Sequence, residues 1–135
     1  MVERVLATDA TLALIERLKQ KHGPLMFHQS GGCCDGSAPM CFPQGEFMVG
    51  DHDRLLGRIG GAPFYISGPQ FEYWRHTQLN IDVVPGRGGM FSLEGRDGVR
   101  FLTRSRLFTD DEVAWLERHP APRGAQDDGS PSNPT

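Results

Sequence analysis

Apolar residues near the start of the chain recur at helical spacing. Leu14, Ile15 and Leu18, with Ala10 and Ala13 nearby, predict a helix over residues 8–22. Thr8 or Asp9 can cap its start, and Lys19, Lys21 and His22 suit the negative end of its dipole. Gly23-Pro24 stops it. One face of this helix is apolar, so it should lie on a sheet.

The period then drops to two. Leu25–Gln29 reads as a strand, with Leu25 and Phe27 on one face and Met26 and His28 on the other. Glu46–Gly50, Leu55–Ile59 and Pro63–Ser67 read as further short strands, separated by the turns Asp51-His52-Asp53 and Gly60-Gly61. Ser67-Gly68-Pro69 can open a single helical turn through Phe71, Tyr73 and Trp74. Leu79, Ile81 and Val83 alternate, which predicts a half-buried strand over 78–84. Met90–Glu94 and Val99–Leu107 follow as strands around a Gly95-Arg96-Asp97-Gly98 hairpin loop.

Thr109-Asp110-Asp111-Glu112 is a capping box, opening a last helix that carries Val113, Trp115 and Leu116 and ends at Pro120. The stretch 121–135 has no large apolar residue and is expected to be a disordered tail. The pattern predicts one α+β domain over residues 1–120. It is compact and mixed, a mainly antiparallel short-strand sheet or sandwich with a helix at each end.

Composition narrows the class. Gly and Pro together supply 27 of 135 residues (17 + 10), which favours many turns and short strands. A net charge of -3 gives no basic footprint, so nucleic acid is not an expected partner. No apolar run approaches the roughly 20 residues of a membrane span. Glu3, Asp9 and Glu16 interrupt the N-terminal apolar stretch and argue against a secretory signal. Three cysteines, two of them adjacent, do not suit a disulfide framework. Reduced thiols in the cytoplasm are the expectation.

All three cysteines fall in one stretch, His28-Gln29-Ser30-Gly31-Gly32-Cys33-Cys34-Asp35-Gly36-Ser37-Ala38-Pro39-Met40-Cys41. Gly31, Gly32 and Gly36 admit backbone angles closed to other residues and let another group approach the main chain. His28, Cys33, Cys34 and Cys41 could surround one soft or borderline metal, and zinc or iron suits thiolate and imidazole donors. Zinc sites usually take closely spaced cysteine pairs, however, and Cys33 and Cys41 are eight apart. Adjacent side chains in extended backbone also point apart, which counts against Cys34.

A reactive thiol is the second chemistry. Consecutive N–H groups in a glycine-rich turn can stabilise a thiolate, with His52 or His76 as a partner reaching it through space. In either case Cys33 and Cys41 are the expected working pair, with His28 as a third donor. The plain alternative packs one cysteine in the core, exposes another, and leaves His28 a strand residue with a satisfied hydrogen bond. Arg100 and Arg104, with Arg106, share one face of the last strand. They could grip an anion, although a solvated sheet face explains them as well.

Nucleotide and hydrolase signatures are missing. Gly86-Arg87-Gly88-Gly89-Met90-Phe91 fails the dinucleotide fingerprint at its last position, and neither a P-loop nor G-x-S-x-G occurs. No catalytic residue is assigned.

His28–Ser37, Pro39-Met40-Cys41, Gly50-Asp51 and Phe71-Glu72-Tyr73-Trp74 resemble a bacterial family of unknown function, DUF779, over residues 5–119. Genes of that family commonly lie beside aldehyde dehydrogenase genes. The resemblance implies an accessory link to aldehyde metabolism, because the chain is too short to be that enzyme. A weaker resemblance is to the A-type (HesB-like) iron–sulfur carriers. Gly31-Gly32-Cys33, Tyr73, Leu79–Val84 and Gly88–Phe91 follow their order, but no cysteine follows Cys41. That likeness implies a fold and not cluster ligation.

The expected function is therefore a small cytoplasmic accessory protein acting with an aldehyde dehydrogenase, its Gly/Cys stretch binding a metal or supplying a thiol. The alternative is a protein-binding module with a structural loop. A homo-oligomer is compatible with either.

Overall fold

A computed structural model of the chain describes residues 2–29, 39–45, 49–50, 52–86 and 98–121. Thr8 caps the first helix, α1 (Asp9–His22), by accepting the Thr11 N–H at 3.2 Å. The helical period buries Leu14, Ile15 and Leu18. Thr11 buries with them because its hydroxyl donates to the Ile81 carbonyl at 2.8 Å, pinning the helix to a strand.

That strand belongs to a three-stranded sheet of β1 (Val5–Ala7), β6 (Thr77–Pro85) and β7 (Val99–Leu107), in the order β1-β6-β7. β1 runs parallel to β6, and β7 antiparallel to it. A four-stranded sheet holds β2 (Leu25–Gln29), β3 (Met40–Pro43), β4 (Arg54–Ile59) and β5 (Ala62–Ile66), in the order β3-β2-β5-β4. β2 and β5 are parallel at its centre, and β3 and β4 flank them antiparallel.

Both central strands are buried on both faces, which is why β2 and β5 read as nearly unbroken apolar runs. The sheets and α1 share one core. The Phe27 ring stacks on Phe64 within its own sheet, with centroids 5.8 Å apart. It meets Phe101 of the other sheet edge-on at 5.0 Å, the offset geometry that ring quadrupoles favour. Leu25, Ile66, Leu79 and Ile81 complete the layer. Two short helices close one end, α2 (Gly68–Trp74) after β5 and α3 (Asp110–Arg118) after β7. α3 carries the expected capping box at Thr109 and Glu112.

The α+β architecture with a helix towards each end agrees with the sequence pattern, while the connectivity differs in two places. β1 was not expected. Three residues are too few to show a period, and the strand exists because its parallel register places Val5 against Leu79 in the core. The next strand after β2 was expected at Glu46–Gly50, yet Met40–Pro43 comes first and pairs with β2, with Phe27 opposite Cys41 and His28 opposite Met40. Residues 49–50 are not in a strand, and 46–48 lie outside the described residues. The expected strand Met90–Glu94, its loop at 95–97 and the tail from residue 122 also lie outside them.

Candidate functional site

Strand pleating sorts β2 into two chemistries. Leu25, Phe27 and Gln29 point into the shared core, while Met26 and His28 point to the opposite face of the four-stranded sheet. Met26, Leu55 and Tyr65 form a second buried cluster there, with Phe42 and Val49 packed against it. Register places Tyr65 of β5 and Met40 of β3 on either side of His28.

His28 is only 4% exposed, and its Nε2 lies 3.0 Å from Asp53 Oδ1. The contact is at ion-pair distance without the in-line geometry of a good hydrogen bond. Asp53 is itself held in place. The Gly50 N–H donates to Asp53 Oδ2 at 2.9 Å, and the Asp53 N–H returns a bond to the Gly50 carbonyl at 3.2 Å. The turn is also braced from behind. A Cβ on Gly68 would sit 2.7 Å from the His52 carbonyl oxygen, so glycine alone lets α2 start this close to the turn.

An imidazole packed into a sheet beside a fixed carboxylate has a set position. Metal-ligating histidines and histidines that activate thiols both use this arrangement. Asp53 was missed as a member of the site. It lies 25 residues from His28 (53 − 28), so no local spacing links them. The one available signal was the polar turn around it, in which an Asp side chain bonds backbone N–H groups.

The expected donors divide. Cys41 is fully buried in the shared core opposite Phe27, on the other side of the sheet from His28. These two are not brought together. Cys33, Cys34, Gly31, Gly32 and Gly36 lie outside the described residues. In sequence their segment joins Gln29 to Pro39, the residues next to the paired His28 and Met40. Among the described residues, no group of three or more His, Cys, Asp or Glu side chains could hold a metal. His52 and His76 are exposed, and His76 lies against Arg75, whose Nε is 3.3 Å from its Nε2.

The arginine face of β7 is engaged by the chain's own acids. Arg104 pairs with Asp82 at 3.2 Å. The Val83 N–H, donating at 2.8 Å, and then Arg104 hold the Asp82 carboxyl below its usual range. Arg106 makes a two-pronged pair with Glu112, both bonds at 3.0 Å, and also donates to Gln78. Arg100 lies beside Gly86 at the β6 end. The stripe is a salt-bridged, partly solvated sheet face.

The whole is a small two-sheet α+β domain in which buried His28 faces the partly exposed Asp53. Residues 14–107 match the family described as a domain of unknown function, DUF779, and the chain belongs to that family. The match starts inside α1 and ends with β7, so it contains His28, Asp53 and all three cysteines. No curated protein and no solved structure matches the chain. No helix among the described residues is long and apolar enough to cross a membrane.

Proposed function

We propose that this protein is a small accessory protein of aldehyde metabolism, acting with an aldehyde dehydrogenase. Its working part is the stretch bearing Cys33 and Cys34, which supplies a thiol or binds zinc or iron next to His28. One observation carries the chemical half of this reading, the pair of buried His28 with Asp53 near the end of β2, where that stretch begins in sequence. The link to aldehyde metabolism rests on the family resemblance. Cys41 has a packing role in this proposal.

Metal analysis and thiol titration of untagged native protein test it, with Cys33→Ser, Cys34→Ser, Cys41→Ser and Asp53→Asn as variants. Cys33→Ser should abolish metal content or fast thiol reactivity, Cys34→Ser should reduce it less, and Asp53→Asn should weaken it. Paired expression should alter the activity or folding yield of an aldehyde dehydrogenase from the same organism. Metal-free protein with uniformly slow thiols, and no effect on the enzyme, would leave a protein-binding module with a structural loop.

A further inference from the structure

A groove of about 580 Å³ opens between α2 and α3, far larger than the other recess on that side. That volume falls within the range of small-molecule sites. One wall is apolar, made by Phe71 of α2 with Val113 and Leu116 of α3. Three guanidiniums, from Arg4, Arg54 and Arg75, line much of the rest, together with His76 and two carboxylates.

These arginines are not equivalent. Arg4 is half-buried, and its Nη2 donates to the Leu116 and His119 carbonyls at the end of α3. It fixes a positive charge in the wall and caps the helix at once. Arg75 leans on Glu72 at 3.7 Å. The Arg54 side chain makes no hydrogen bond or ion pair among the described residues, yet it borders the groove. Strand alternation puts it on the side of Leu56, away from Leu55 and the His28 face.

Charge selects the ligand. Against the three arginines stand two lining carboxylates, Glu72 and Glu117, so with the lining His76 neutral the groove carries +1 (3 − 2). One negative charge neutralises it, whereas a phosphate dianion or a polyanion would meet both glutamates. A planar carboxylate also fits the guanidinium fork of Arg54 in two-pronged geometry.

We propose that this groove binds a small organic monocarboxylate, its carboxylate on Arg54 and its apolar body against Phe71, Val113 and Leu116. The groove shares no lining residue with the His28–Asp53 pair, and the proposal stands whether or not the cysteine stretch binds metal.

Calorimetric titration of the full chain with sodium hexanoate and sodium benzoate tests it. The neutral probe is hexanamide and the dianionic probe is phenyl phosphate. Saturable binding of a carboxylate is expected, at least about tenfold tighter than hexanamide and phenyl phosphate. Arg54→Gln should weaken it by about tenfold or more while leaving the melting temperature unchanged, since that arginine supports no other group. Val113→Asp, which puts a charge on the apolar wall, should weaken it as well. No saturable binding of either acid, equal binding of the amide, or full binding by Arg54→Gln would overturn the proposal.

Discussion

Thr103 of β7 donates its hydroxyl to the Gln29 side-chain oxygen of β2 at 3.0 Å, with both residues buried between the two sheets. This bond crosses the core from the three-stranded sheet to the last residue of β2. It also fixes the side chain at the point where the Gly/Cys stretch begins. Thr103→Val keeps the shape and removes the donor. Leaving a buried amide oxygen short of a bond costs about 1–3 kcal/mol. Urea unfolding should show that loss with an unchanged slope, and no loss would mean that water replaces the hydroxyl.

The brace behind Asp53 is equally exposed to a one-carbon test. A Cβ at residue 68 would lie 2.7 Å from the His52 carbonyl oxygen, a backbone atom that cannot swing aside. Gly68→Ala should therefore push the 50–53 turn outward, at a cost of about 1–3 kcal/mol typical of overpacking. Asp53 moves with that turn, so the His28 ring resonances should shift in NMR spectra. Unchanged His28 resonances in a destabilised variant would separate the turn from the pair.

Glu112 supplies a pH handle remote from the site. The two-pronged bond from Arg106, then the Thr109 N–H, lowers its carboxyl from the usual 4.5 to about 2. A lowered folded-state value means that the unfolded chain binds the proton first as pH falls. The contribution of Glu112 is then complete above about pH 4.5 and is lost towards about pH 2. Comparing the melting temperatures of wild type and Glu112→Gln should show a gap at neutral pH that closes across this window. A constant gap would show that the carboxyl acts through packing or capping alone. Thr109→Ala, which removes the other half of the capping box, should cost about 1 kcal/mol at all these pH values.

Much of this fold was legible because its signals are local. The period of Leu14, Ile15 and Leu18, the alternation of Leu79, Ile81 and Val83, and the Thr109–Glu112 box each lie within a few residues. β1 escaped because its register is fixed by β6, more than seventy residues away (79 − 5 = 74). β3 was obscured by Pro39 before it and Pro43 at its end, residues that usually mark loops and strand edges, and β3 is indeed an edge strand. The site was half legible. His28 stood out by its neighbours, and its alternation with Phe27 gave its face. Its partner Asp53 is set by a turn meeting a strand, and Cys41 went to the core because β3 pairs with β2 where a loop was expected.

That pairing makes Cys41 the residue that separates a structural thiol from a functional one. Phe27 opposite Cys41 sends both side chains into the shared core, where Cys41 is fully buried. Burial hinders ionisation and shields the sulfur, so Cys41 should be slow towards thiol reagents in native protein and fast only after unfolding. Cys41→Ser puts a hydroxyl in this apolar layer and should lower stability by about 1–3 kcal/mol. It should leave unchanged whatever fast thiol reactivity or metal content the wild type shows, because His28 lies across the sheet and cannot share a ligand sphere with residue 41. The decisive measurement pairs urea unfolding with thiol titration on this one variant. Lost reactivity or metal at undiminished stability would place Cys41 in the working site and would require a different pairing of β2 and β3.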